Sequence, residues 1–288
     1  MGFIAPWIVG FLLFTLIPIL ATLGLSFSNF NIEKPDEVQF IGAANYERLA
    51  SDRLIRTSLW VTVRYGVLAI PVTLSFAIFL AALVNSKNLV GKSVFRTLFY
   101  MPSQIPVVAG ALVWEGVMNT ETGWINLALK SIGIPGPDWM NSVVWIYPAL
   151  TLIGLWGTGN MMLMLLAGMQ GVPQELYDAA RVDGASGFQQ FFHITLPMIS
   201  PVIFYNLILM IIGAFKYFDV AYVLKEGTGD PGMATLFYNL YLYKTAFPFN
   251  RMGYATAQAW LLFVIVLALT ILLFVTQRRW VYYAGGEK

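Results

Sequence analysis

The stretch Ala255-Thr-Ala-Gln-Ala-Trp-Leu-Leu-Phe-Val-Ile-Val-Leu-Ala-Leu-Thr-Ile-Leu-Leu-Phe-Val-Thr276 carries no charged side chain. Crossing a hydrocarbon core of about 30 Å takes roughly 20 apolar residues of helix. Lipid cannot hydrogen-bond a backbone amide, so such a stretch must be helical or belong to a closed barrel. A barrel strand alternates apolar and polar residues, and here the apolar residues follow one another without a break. Five further stretches read in the same way. They place spans at Phe3–Phe27, Leu59–Val84, Thr97–Met118, Val143–Gly168 and Ile194–Phe215. The fold class is therefore all-α and membrane-integral, with about six transmembrane helices.

Composition supports this reading. Of 288 residues, 58% are hydrophobic and 11% charged, where a soluble domain carries about 25% charge. A soluble core of any size still needs a charged exterior, whereas a lipid-facing surface does not. The net charge of +2 lacks the dense basic patch of a nucleic-acid binder. Cysteine is absent and His193 is the sole histidine, so neither a metal centre nor a cysteine or histidine catalytic group is expected. The N-terminal apolar run has no basic leader and outlasts the roughly 7–15 residues of a signal peptide. Its abrupt start at Met1-Gly2-Phe3 leaves room for a cytoplasmic leader upstream.

Charge sets the orientation. Arg278 and Arg279 directly follow the last span, and the loop from Asn85 to Arg96 holds Lys87, Lys92 and Arg96 with no acid. Both segments are expected on the cytoplasmic side. The outer loops also hold cations, among them Arg48, Arg53, Arg56, Lys244 and Arg251, but at lower density.

The segment from Pro173 reads as an amphipathic helix, a break and a second helix. Pro173 suits a first helical turn. Val172, Leu176, Ala179 and Ala180 share a face at helical spacing, and Glu175 and Asp178 sit where the helix dipole favours negative charge. Gly184 permits a sharp stop. Ser186 and Gln189 have the spacing of a capping box, which opens a helix bearing Phe188, Phe191 and Phe192. On these grounds alone the segment is either an interfacial linker or a docking element.

The sequence Glu175-Leu-Tyr-Asp-Ala-Ala-Arg-Val-Asp-Gly-Ala185, followed by His193-Ile-Thr-Leu-Pro197, resembles the "EAA" signature of bacterial ABC importer permeases. Phe40-Ile-Gly-Ala-Ala-Asn-Tyr46 with Asp52, Arg96-Thr-Leu-Phe-Tyr-Met-Pro102 with Trp114, Gly123-Trp-Ile-Asn126, and Phe218-Asp219-Val-Ala-Tyr222 with Gly229-Asp230-Pro231 extend the resemblance along the chain. Together they are similar to the first permease of carbohydrate-uptake systems of the maltose and glycerol-phosphate kind. The chain departs from that pattern at Lys225-Glu-Gly-Thr-Gly-Asp-Pro231.

The resemblance implies a type I importer permease fold. It divides the chain into a first transmembrane helix at 1–28, an extracytoplasmic loop at 29–58, a transmembrane domain of five helices at 59–277 and a cytoplasmic tail at 278–288. Within that domain, 172–193 becomes a coupling loop for an ATPase, with Glu175, Asp178, Ala179, Ala180, Asp183 and Gly184 as its motif residues. The implied partners are a second related permease, two ATP-binding subunits and an extracytoplasmic substrate-binding protein, all at a bacterial plasma membrane. Neither a cofactor nor a nucleic-acid partner is implied.

Other chemistry is weaker. Gly91-Lys92-Ser93 has the ending of a phosphate-binding loop, but Ser86 stands where its leading glycine belongs and no strand pattern precedes it. Lys92 is better read as a positive anchor. Asp178 and Asp183 have no nucleophile beside them, and His193 reads as an interfacial residue. Arg64 and Glu115 lie at similar depth in the second and third spans, where they either pair or reach for the outer headgroups.

A pathway is expected where polar groups meet a weakened helix near the midplane. Gly154, Trp156, Gly157, Gly159 and Asn160 weaken the fourth span. Tyr205 and Asn206 lie in the fifth, with Lys216, Tyr217 and Asp219 at its outer end. Trp156, Asn160, Tyr205, Asn206 and Tyr217 suit a sugar, which presents C–H faces to aromatic rings and hydroxyls to polar side chains. Close helix packing, with Gly and Asn at the contacts, is the competing explanation. The rival overall function is a self-contained, ion-coupled secondary transporter. It is disfavoured by six spans, no visible internal repeat and few membrane-embedded carboxylates.

Overall fold

The computed structural model describes residues 3–283. Among these residues the chain is helical, and the sole strand-like pairing is an isolated bridge between Ser28 and Phe40. Four helices are long and apolar enough to cross a membrane: Ala5–Ser26, Arg53–Asn85, Ser200–Lys225 and Met252–Arg279. Two bent pairs, each counted as one broken span, bring the total to six. Of the tail expected at 278–288, residues 284–288 fall outside the described residues.

The third span is corrected. Thr97–Met118 is not one crossing helix: Lys92–Gln104 and Val107–Val117 meet at 102°. Pro102 and Pro106 explain the elbow. Neither ring nitrogen can donate to the helical ladder, and Ile105, preceding Pro106, is extended at ψ 131. The fourth span breaks by 57° between Ile146–Trp156 and Gly159–Gln170, at the glycine-weakened point. Gly159 is fixed there by contact: a Cβ on it would lie 2.5 Å from the Phe99 carbonyl oxygen and 2.7 Å from Tyr100 Cα.

Two π-helical turns, Leu12–Leu16 and Phe191–Thr195, each end just before a proline, Pro18 and Pro197. A proline leaves the carbonyl four residues back without its donor, and the wider turn accommodates that gap. The Pro71 gap lies inside Arg53–Asn85, which continues through it.

The loops gather at two ends of the bundle, as alternating spans require. At one end, buried Asn45 donates to the carbonyls of Ser26 (2.8 Å) and Ser28 (2.9 Å), while Tyr46 shares a 2.7 Å hydroxyl contact with Ser26. Asp52 caps the long helix by accepting from the Leu54 amide at 2.8 Å. Its other oxygen accepts from the hydroxyls of Tyr241 (2.8 Å) and Tyr254 (2.7 Å), and the Arg48 guanidinium lies 4.4 Å from the Tyr254 ring centre. One carboxylate thus ties the start of the second span to the last span and to the Tyr238–Ala246 helix. Burial pushes the Asp52 carboxyl up, but the hydrogen bonds from Tyr254, Tyr241 and the backbone outweigh it, and its pKa ends below the ordinary value.

Of the two arrangements left open for Arg64 and Glu115, the ion pair does not form. Arg64 instead lies over the Tyr147 ring at 5.3 Å, and the ion pairs among the described residues are Lys34–Glu37 and Asp178–Arg181.

Candidate functional site

The segment after the fourth span folds as a separate module at the other end of the bundle. Gln174–Val182 is helical, with Pro173 as its N-cap rather than inside its first turn. The stop is a complete Schellman motif: the Ala185 amide donates to Ala180 O (2.8 Å) and the Gly184 amide to Arg181 O (3.1 Å). Gly184 holds φ +79°, with open space around its missing Cβ. The following helix opens with the capping box, Gln189 N to Ser186 Oγ at 3.3 Å and Ser186 N to Gln189 Oε1 at 2.7 Å.

No residue of Gln174–Val182 is buried. Glu175, Asp178, Ala179, Asp183 and Gly184 are exposed, and Ala180 is half-buried. Leu176 is 42% exposed and Val182 89%. Asp178 accepts from Gln174 Nε2 at 3.0 Å and pairs with Arg181. The Gln174 hydrogen bond, followed by that of Arg181, holds its carboxyl below the usual range. Towards the bundle, Tyr177 and Thr195 share a 2.8 Å hydroxyl contact, and Lys87 Nζ lies 3.4 Å from Gln174 Oε1. His193 Nδ1 contacts its own helix at Gln189 O, 3.0 Å away, and makes no cluster with other ligating groups.

Two cavities meet at the break in the fourth span. The first, of about 400 Å³, is lined by Trp156, Asn160, Lys216, Tyr217 and Asp219, with Ser103 and Gly110 opposite. The second, of about 460 Å³, is lined by Tyr65, Asn160, Asn206, Tyr217 and the glycines. Gly154, Gly157, Asn160, Gly213 and Tyr217 border both. Either volume is within the roughly 300–1,000 Å³ of small-molecule sites. The glycines divide into two kinds. A Cβ on Gly213 would meet nothing within 4 Å, and on Gly157 or Gly154 nothing closer than 3.8 Å. These three leave space rather than permit contact, whereas Gly159 permits contact.

Four of the five expected pathway residues come together here. Trp156 packs edge-on against Trp114 at 5.9 Å and covers Gly110. Tyr217 is held between Tyr65 (4.7 Å) and Phe237 (4.8 Å). Asn206 is buried and donates to Val202 O at 2.8 Å, which is its helix's own backbone. Tyr205 lines neither cavity and is 49% exposed. Adjacent helical positions differ by about 100° in direction, so turning Asn206 inward turns Tyr205 outward. Lys216 and Asp219, at the outer end of the span, also line the first cavity, a role the sequence reading does not give them. Their charge inside an apolar chain was the signal for choosing them.

The comparisons with known proteins agree with this architecture. A family model described as "Binding-protein-dependent transport system inner membrane component" matches residues 73–282. The chain is 40% identical over 290 residues to the "Probable ABC transporter permease protein YesP" of Bacillus subtilis (strain 168), covering 100% of this chain and 93% of that one. It is 34% identical over 276 residues to the "Arabinooligosaccharides transport system permease protein AraP" of the same organism (94% and 85% covered). It is also 34% identical over 272 residues to the "Trehalose/maltose transport system permease protein MalF" of Thermococcus litoralis (93% and 90% covered). Among solved structures, a bacterial alginate ABC transporter in complex with an alginate pentasaccharide-bound periplasmic protein superposes with a TM-score of 0.83 at 23% identity, covering 96% of this chain and 93% of that one. The chain belongs to the binding-protein-dependent transport family and is a multi-pass permease of the inner membrane.

Proposed function

We propose that this permease forms half of the transmembrane pathway of an ATP-driven saccharide importer, and that Gln174–Gly184 is where an ATP-binding subunit grips it. The observation that carries the reading is an ordered helix with no buried residue. An isolated helix shorter than about 12–15 residues is marginal in water. Within this chain the helix is held by the exposed Asp178–Arg181 pair, by the Tyr177–Thr195 bond, worth about 1 kcal/mol, and by packing of the Tyr177 ring on the bundle. Leu176 and Val182 are left bare, as befits a surface that a second protein covers.

ATP hydrolysis then belongs to that partner. Gly91, at φ +76°, caps the Lys92–Tyr100 helix without the strand a phosphate loop follows. Closure of two ATP-binding subunits moves the Gln174–Gly184 helices of this chain and of a second permease, and the spans open outward to receive substrate from a binding protein. ATP binding drives the change only so far as it stabilises one state over the other.

The saccharide assignment rests on the printed substrates of two relatives, arabinooligosaccharides and trehalose or maltose. The chemistry of the cavities supports it: aromatic faces at Trp156 and Tyr217, and hydrogen-bonding groups at Asn160, Ser103, Lys216 and Asp219. Substrate passes the Gly154–Gly157–Gly213 seam between them. The test is to purify the chain with its neighbours and measure uptake in vesicles. Co-purification of an ATPase and ATP-dependent uptake are expected. Uptake by this chain alone, insensitive to ATP, would falsify the proposal.

A further inference from the structure

A third cavity, of about 610 Å³, lies behind the Gln174–Val182 helix, between it, the end of the Arg53–Asn85 helix and the π-helical turn before the fifth span. Its polar wall has a definite sign. Lys87 and Arg181 line it, Arg181 already paired with Asp178, whose carboxylate is not among the lining groups. The single polar side-chain contact of Lys87 is the 3.4 Å approach to a neutral amide oxygen of Gln174, too long to satisfy an ammonium. Asn85 and Ser86 add polar groups beside it, while Val172 and Phe191 supply an apolar floor. The cavity opens at the end of the bundle that carries Lys92, Arg96, Arg278 and Arg279, the cation-rich side of the membrane.

We propose that this cavity binds a phosphoryl group, supplied by the headgroup of an anionic phospholipid in the cytoplasmic leaflet, with Lys87 as its principal cationic ligand and Arg181, shared with Asp178, beside it. A basic pocket between spans on the cytoplasmic side has the chemistry for such a headgroup. The phosphate sits between an ammonium and a guanidinium, and the glycerol and upper acyl chain lie against Val172 and Phe191. The bound group bridges the end of the second span to the helix that bears the family motif. It therefore restrains that helix from behind while leaving its exposed face clear. The site stands on this geometry alone, and only its effect on transport rests on the function proposed above.

The test uses the transporter as assembled, in nanodiscs of phosphatidylcholine with or without phosphatidylglycerol. Lipid carried through purification is counted by native mass spectrometry. Retained phosphatidylglycerol should fall about fivefold in Lys87→Gln, the loss expected for one basic contact. Lys92→Gln removes the same charge from the same loop outside the cavity and should retain as much as the wild type. Equal losses in both variants would reduce the effect to diffuse surface attraction and overturn the site. Unchanged retention in Lys87→Gln would overturn it as well. A third arm adds inorganic phosphate: displacement of the retained lipid at millimolar concentration would overturn the lipid as the source and assign the cavity to a soluble phosphate. Because retention is read without transport, a failed uptake assay leaves this result standing.

Discussion

The hydroxyls of Tyr177 and Thr195 lie 2.8 Å apart, and this short contact is the principal polar tie between the exposed Gln174–Val182 helix and the membrane-embedded bundle. Thr195 ends the π-helical turn that leads into the fifth span. Motion of the exposed helix therefore reaches the fifth span through this side-chain pair and the chain between them, beside the Lys87–Gln174 contact and the packing of the Tyr177 ring.

Tyr177→Phe removes that tie and keeps the ring. A neutral hydrogen bond is worth about 1 kcal/mol, so amides across residues 174–182 should exchange about fivefold faster by hydrogen-exchange mass spectrometry. ATP-driven uptake should fall while chain insertion stays normal. Unaltered exchange would show that the helix is held by something else.

At Gly184 the backbone, not the space, sets the requirement. A non-glycine residue in the left-handed region costs roughly 1–2 kcal/mol, which Asn tolerates better than other side chains. Gly184→Asn should keep the Schellman stop and Gly184→Val should lose it, since the Cβ itself meets nothing within this chain. Pull-down of the ATP-binding subunit then separates two cases. If both variants fail alike, the partner's surface passes close over Gly184; if Asn alone succeeds, conformation is what matters.

The glycines of the broken span should separate along the same lines. Gly213→Leu fills open space, so thermal stability should hold while uptake drops at least tenfold. Gly159→Ala drives a Cβ to 2.5 Å from a backbone oxygen, where overpacking costs about 1–3 kcal/mol. It should lower the melting temperature. The reverse pattern would move the pathway away from this seam.

Asp52 gives the outer end a pH response. Its carboxyl pKa is lower in the folded chain than in the unfolded one, so its contribution is present above the unfolded value, near 4. That contribution fades as pH drops through the lowered folded value. Tyr241 works at the other limit. Burial, then the Asp52 carboxylate, pushes its hydroxyl up to about 12, so its contribution is complete below about 10 and lost as pH rises through 12. In melting experiments across pH, Asp52→Asn should be less stable at neutrality and show a flatter acid limb. An acid limb as steep as the wild type's would assign it to other groups.

Much of this was legible in sequence because lipid leaves few options. The first, second and last spans followed from long, predominantly apolar runs, and the stop at Gly184 and the capping box at Ser186 from local rules that tertiary packing did not override. The elbow at Pro106 escaped because apolar content is the same whether a helix continues or turns. The prolines that mark it are common enough in membrane helices to be discounted, and Pro71 indeed bends nothing decisively. The Asp52 junction also escaped: its tyrosine partners come from residues far along the chain, and no periodicity reports such a meeting. Arg64 and Glu115 were matched by depth, but helical rotation decides who faces whom, and Arg64 faces Tyr147.

The elbow has a consequence for the host membrane. Val107–Val117 is a helix of 11 residues, about 17 Å long, and its partner arm turns away at 102°. Upright, it matches little more than half of an ordinary acyl layer. Lipids beside Leu112 and Val113, which are both exposed, must shorten, tilt or crowd inward to meet it, at a fraction of a kcal/mol for each ångström. We infer that the bilayer thins into a dimple along this flank, which enrichment of short-chain lipids around the permease would check. A second subunit with a matching dimple would share its rim, so that membrane elasticity itself favours the pair.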